Sequence, residues 1–185
     1  RHGKRKLRLA ILAEDVDVAM VQELRESLGP EWDPHQVIFR TGSPLHIDHL
    51  RRVDFLHAAA IILPGEDFPV GGSDIVDART CKSLLSISRH GRAEHERALP
   101  LLVAEVFDAR NLHTARVGYD GPVELIASDI FVSRLIAQVV RHPGMSHVFN
   151  ELLGRLDQGS EIYVRAHSEL AGQSFEELAA AFPRA

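Results

Sequence analysis

The chain has 185 residues, enough for one domain of ordinary size with a short appendage and for a core that needs no covalent staples. With 45% hydrophobic and 25% charged residues its composition is globular, and 21 basic against 26 acidic side chains leave a net charge of −5, which excludes nucleic acid as a partner on electrostatic grounds. The single cysteine, Cys81, excludes an internal disulfide and a cysteine-rich zinc site, and no apolar run approaches the roughly 20 residues that cross a bilayer.

Position 1 is arginine, and Arg1, Lys4, Arg5, Lys6 and Arg8 crowd the first eight positions without a following apolar h-region. This start reads as an internal fragment or processed chain leading into a strand. Leu7 to Ala13 is a short apolar run. A helix follows with Val18, Val21, Leu24 and Leu28 on one face, ended by Gly29-Pro30. Val37-Ile38-Phe39 is the second strand, stopped at Thr41-Gly42-Ser43-Pro44. A helix from about Leu45 to Val53 turns Leu50 and Val53 inward, and Ala58 to Leu63 is the third strand. Pro64 to Gly72 is a loop rich in proline and glycine. Ser73-Asp74 opens a helix carrying Ile75, Ala78, Leu84, Leu85 and Ile87 to about His90.

Leu101 to Ala104 is a fourth strand, followed by a helix from about Ala109 to Arg116. Val123 to Ala127 is a fifth strand, Ser128 to Arg141 a long helix, and Met145 to Leu153 another, after the stop His142-Pro143-Gly144. Glu161 to Val164 reads as a late strand, and a further element opens from Leu170. Strands alternating with helices in this rhythm give an α/β fold with a doubly wound, mostly parallel sheet, covered on both faces because its strands are near-continuous apolar runs. The domain boundary falls at 158, with 159–185 as a linker and the start of a second subdomain.

In such a sheet ligands bind beyond the carboxyl ends of the strands. Those ends are Glu14-Asp15, Thr41-Gly42-Ser43, Gly65-Glu66-Asp67, Glu105 with Asp108, and Ser128-Asp129, which together make one acidic rim. Two readings compete. Asp15, Asp108, Ser73 and Asp129 are helix caps or first-turn groups, or the carboxylates Glu66, Asp67, Glu105 and Asp108 hold a divalent cation. There is no G-x-G-x-x-G, P-loop or G-x-S-x-G, and no serine has a base partner readable nearby. His46-x-x-His49 has helix spacing but no third ligand in sight, and Cys81 falls on an apolar helix face. The chain therefore does not read as an enzyme.

Several stretches, taken in order, carry a resemblance. They are Leu9-Ala-Ile-Leu-Ala-Glu14 with Val18-x-Met20 and Glu23-Leu-Arg25, then Phe39-Arg-Thr-Gly-Ser-Pro44, then Ala60-Ile-Ile-Leu-Pro-Gly65. Ala104-Glu-Val-Phe-Asp-Ala-Arg-Asn-Leu112, Asp129-Ile and Leu135-Ile-Ala-Gln138 follow, and Glu151-Leu-Leu, Glu161-Ile-Tyr163 and Glu169-Leu-x-Gly172 with Phe175 complete the series. The chain resembles the RCK (TrkA-N-like) regulatory domain of the Castor/Pollux-type ion channel family. The resemblance implies a Rossmann-like, non-enzymatic, ligand-sensing module on the cytoplasmic face of a membrane, assembled as a homo-oligomer, dimer or ring, below the pore domain of a cation or potassium channel. A soluble Rossmann-type nucleotide-dependent enzyme or subunit, and a flavodoxin-like interaction domain, are the alternatives.

The resemblance further places Glu14 at the ribose-facing acid position and the Gly42-Ser43 turn at the adenine-side loop; Asp15, next to Glu14, and Gly65, beside the switch-point crevice, complete the candidate cofactor-binding residues. It leaves the cofactor of the intact protein open between Ca2+ and a nucleotide, NAD or an adenine nucleotide. It also implies that the family's first strand and helix are absent from this chain. The flanking strands are then expected to close up, with Ile11 pairing beside Ile62 in the order 2-1-3-4-5. The two helices from Ser128 to Leu153 hold more apolar surface than one sheet face needs and are the expected self-association surface.

Overall fold

The computed structural model describes residues 8–65, 72–94, 98–153 and 168–181. Five strands alternate with helices: β1 (Leu9–Ala13), α1 (Val18–Leu28), β2 (Val37–Thr41), α2 (Ile47–Arg51), β3 (Ala60–Leu63), α3 (Ser73–Glu94), β4 (Leu101–Val106), α4 (Leu112–Val117) and β5 (Val123–Ala127). Then come α5 (Ser128–Arg141), α6 (Met145–Leu153) and α7 (Phe175–Ala181). The strands expected from apolar runs are present within two residues of their expected ends, and every strand pairing is parallel. The late strand expected at Glu161–Val164 lies outside the described residues. Two compact units are formed, Arg1–Leu135 and Ile136–Ala185.

The strands do not close into one sheet. Among the described residues β1 pairs only with β2, and β3-β4-β5 form a separate three-stranded sheet. Ile11 faces Phe39 in the ladder, and Ile62 faces Val103. The expected pairing of Ile11 beside Ile62 is therefore corrected. Leaving a backbone group unpaired costs about 1–3 kcal/mol only where the group is sealed from water. Ala10, Ala60 and Ile62 are exposed, so solvent reaches these edges and closure gains little.

One face carries the core. Leu102, Ala104 and Val106 of β4 pack with Leu84 and Ile87 of α3, Ala115 of α4, Leu50 of α2, Phe55 and Tyr119. Leu12, Ile61, Leu63, Val123 and Leu125 join its margin, so both sheets share this layer. Among the described residues the opposite face of β3-β4-β5 carries exposed side chains, Ile62 at 69%, Leu101 at 39% and Ile126 at 48%, where a face covered by helices is expected.

The inward side of α3 is not the apolar list read from sequence. Leu84 and Ile87 are buried, but Ile75 and Leu85 are more than half exposed, and the buried stripe is completed by Val76, Asp77, Thr80, Ser83 and Ser88. In α1, Val21, Leu24 and Leu28 are half-buried as their spacing predicts, while Val18 in the first turn is exposed. The cap of α1 is Asp17, which accepts from the Met20 amide at 2.7 Å, rather than Asp15.

Tyr119 shows how a polar group is accommodated in this core. Its ring is buried, and its hydroxyl donates to the Pro100 carbonyl at 2.6 Å. Burial pushes the phenol up to about 12. Tyr119→Phe is expected to cost about 1–2 kcal/mol by urea denaturation, because the Pro100 carbonyl loses its donor. The wild-type chain should lose stability as the pH rises from about 10 toward 12, since the unfolded phenol ionises first. That loss should be absent in the Phe variant.

Candidate functional site

The carboxyl ends of the strands form the rim, and the structure ties nearly every candidate on it to a neighbour. At the tip of β1, Glu14 pairs with Arg79 of α3. The Arg79 guanidinium, with the Ser43 hydroxyl, holds the Glu14 carboxyl below its usual value. At the tip of β2, Gly42 lies against His49, where a Cβ would come within 2.7 Å of the imidazole carbon, so only glycine fits this turn. The Ser43 amide donates to His49 Nδ1 at 3.0 Å. His46 and His49 meet edge-on with centroids 5.2 Å apart, which gives the helix-spaced histidine pair a packing role beside the turn. Glu14, Gly42 and Ser43 are thus brought together at one corner, with Arg79 and His49 added to them. Asp15 is exposed on the loop before α1.

A second corner lies at the tips of β3, β4 and β5. Gly65 N–H donates to Glu105 Oε2 at 2.8 Å, and the Ser128 hydroxyl donates to the other oxygen of the same carboxylate. Glu105 therefore joins the ends of β3 and β4 to the start of α5. A Cβ at Gly65 would sit 2.7 Å from both Glu105 Oε2 and the Phe107 ring, so the approach again requires glycine. Asp108 caps the turn after β4 by accepting from the Arg110 amide at 2.8 Å, and its carboxylate is bracketed by the Arg110 guanidinium, which holds it below its usual range. Asp129 accepts from the Ala109 amide at 3.2 Å.

Both candidate cation ligands within the described residues, Glu105 and Asp108, are thus committed to protein donors, and Glu66 and Asp67 lie outside the described residues. Among the described residues no three His, Cys, Asp or Glu side chains converge on a point that would hold a metal ion. Cys81 is half-buried, and desolvation together with the Asp77 charge pushes its thiol up, away from the reactive thiolate.

The residue that organises this corner is Asp77, which the sequence did not single out. Its carboxylate, 1% exposed, accepts from the Phe107 amide at 2.7 Å, the Asp108 amide at 3.0 Å and Asn111 Nδ2 at 2.7 Å. Those are the first orphan amides past the end of β4, so one side chain of α3 sets the course of the whole loop. A signal existed: Asp77, Thr80, Ser83, Leu84, Ile87 and Ser88 recur at three and four, but polar members hide such a stripe from a search for apolar periodicity.

The chain as a whole is similar to known proteins. The family model described as Castor and Pollux, part of voltage-gated ion channel, matches residues 129–185. The ion channel CASTOR of Lotus japonicus is 30% identical over 151 residues, covering 80% of this chain. The chain is related to the Castor/Pollux ion channel family. The ion channel POLLUX of Lotus japonicus, 29% identical over 179 residues, extends the match to 96% of this chain. This Castor/Pollux-related chain spans only 16% of the length of that CASTOR and 18% of that POLLUX. Among solved structures, the human SLO3 gating ring superposes with a TM-score of 0.63 over 95% of this chain and 32% of its own, at 17% identity, a likeness of fold.

Proposed function

We propose that this chain is a cytosolic regulatory module of a Castor/Pollux-type cation channel, one that senses a ligand and biases a pore rather than catalysing a reaction. The observation that carries the proposal is the in-order match along 96% of the chain to a protein named as an ion channel. The parallel α/β fold, shared with a gating ring, agrees with it. The rim supplies the physical means. Glu14 and Arg79 join the tip of one sheet to the helix that serves the other, and Glu105 and Asp77 knit the second corner, so a ligand at the rim acts on groups that hold two sheets in register.

Within this proposal the Glu14, Asp15, Gly42, Ser43 and Gly65 tips are the ligand-facing positions, and Glu105 and Asp108 serve as internal ties. Self-association, as a dimer or ring below a membrane pore, is supported by the apolar surface that α5 and α6 leave exposed, including Phe131, Val140, Val148 and Leu153. No helix among the described residues is long and apolar enough to cross a membrane.

The test is a current recording from membrane patches holding the full-length protein. Glu14→Gln and Asp77→Asn are expected to shift open probability while leaving unit conductance unchanged, because both act on the module and neither lines a pore. Unaltered open probability in both variants, with the protein present at the membrane, would overturn the proposal.

A further inference from the structure

Of the three histidines whose Nδ1 hydrogen bonds are described, His49 alone faces a donor. His57 Nδ1 lies 2.7 Å from Asp54 Oδ1 and His90 Nδ1 lies 2.6 Å from the Ser86 carbonyl oxygen. Both of these nitrogens carry a proton, and they keep their bonds when the ring is charged. At His49 the partner is the Ser43 amide, at 3.0 Å. A backbone N–H only donates, so Nδ1 is bare and the proton of the neutral ring sits on Nε2. A proton at His49 Nδ1 and the bond from Ser43 exclude each other.

The ring has little room to escape this conflict by turning. Gly42 is buried, and a Cβ there would come within 2.7 Å of His49 Cβ and Cγ and 2.9 Å of Nδ1, so the imidazole is seated directly on the backbone of the turn. The His46 ring meets it edge-on, with centroids 5.2 Å apart. Arg52 donates to the Thr41 carbonyl at 3.3 Å and keeps the α2 segment against the end of β2. His49 itself is half-buried, so solvent protons reach it.

The carboxylates of the elements that meet at this turn are engaged elsewhere. Glu14, past β1, is taken by Arg79 of α3, and Asp48 of α2 by Arg51. Asp77 of α3 faces the amides past β4, and Asp15 stands exposed on the loop beyond Glu14. The other charged groups are cations: Arg40 in β2, Arg52 after α2, and His46 once it is protonated. A charge gained by His49 is therefore met by release of the turn rather than by a new salt bridge.

We infer that the Gly42-Ser43 turn is a proton-responsive latch, closed while His49 is neutral and released when His49 takes a proton at Nδ1. Imidazole is the side chain whose ordinary change of charge falls in the physiological range. Release reaches the rim because Ser43 is shared. Its amide is bound to His49, while its hydroxyl, with the Arg79 guanidinium, holds the Glu14 carboxyl below its usual value. Acidification thus loosens one of the two groups that steady Glu14 at the corner joining β1 to α3. The latch goes beyond the channel reading and does not rest on it, since it is a property of the turn alone.

NMR of the isotope-labelled chain tests it. At about pH 8 the His49 ring is expected with Nδ1 bare and coupled across the hydrogen bond to the Ser43 amide nitrogen, and by about pH 5 the coupling should vanish as Nδ1 gains its proton. Protection of the Ser43 amide from exchange, corrected for the intrinsic effect of pH, should fall at least about tenfold over the same range. His49→Asn keeps an acceptor oxygen and removes the titration, so its Ser43 amide should be equally protected at both pH values. His46→Asn should leave the wild-type loss in place. A neutral ring found with Nδ1 protonated, or wild-type Ser43 protection that does not change with pH, overturns the latch without need of a variant. An equal loss in His49→Asn, or a loss abolished in His46→Asn, overturns it too, since another group would then be the sensor.

Discussion

Asp77→Ala is expected to destabilise the chain by about 3–5 kcal/mol. Three hydrogen bonds to a carboxylate are lost, each worth about 1.5–3 kcal/mol, and the Phe107 and Asp108 amides are left without acceptors, against which stands only the recovered cost of burying the carboxylate. Asp77→Asn should cost about half as much, because it keeps one acceptor oxygen but turns an NH2 group toward donors. Urea denaturation gives the magnitude, and amide exchange across residues 107–111 tests its origin. If Asp77 clamps this loop, those amides lose protection at denaturant concentrations where β4 is still intact. A stability change without that local loss would remove the clamp from the explanation.

Leu84→Ala should cost about 2–5 kcal/mol, while Leu85→Ala, one residue on, should change stability by no more than about 0.5 kcal/mol. Leu84 is 0% exposed at the centre of the layer shared by α3, β4 and α4, whereas Leu85 is 58% exposed. The loss at Leu84 combines the lost transfer free energy of three buried carbons with the cavity left among Ile87, Leu102 and Ala115, which close-packed neighbours fill only in part. Paired denaturation curves decide it. Equal losses at the two positions would mean that the orientation assigned to α3 is wrong.

These expectations divide along a physical line. Helix and strand positions were legible because local pattern determines them: the runs at Leu9–Ala13, Ala60–Leu63 and Val123–Ala127 are strands, and the stretch from Ser128 to Arg141 is one helix with the bounds its sequence implies. The parallel α/β class followed from their alternation, and the rim followed from the class, since crossover handedness places every strand tip on one side. Gly42 and Gly65 were legible as tips, although the close contacts that require them, with His49 and with Glu105 and Phe107, were not.

What tertiary structure decided concerns partners distant in sequence. Asp77 is 30 residues from Phe107 and 34 from Asn111, and Arg79 lies on a different element from Glu14. No local pattern announces such pairs, because a carboxylate on a helix has the same sequence signature whether it faces water or a row of orphan amides. The division of the strands into β1-β2 and β3-β4-β5 was equally beyond local reading. Strand formation depends on the apolar run within each segment, but pairing depends on whether the unpaired edge is sealed or wet, and at Ala10, Ala60 and Ile62 it is wet. The sequence by itself determined the elements, their class and the rim; burial and solvent access, which exist only once the chain is folded, decided which carboxylates became ties and which strands became neighbours.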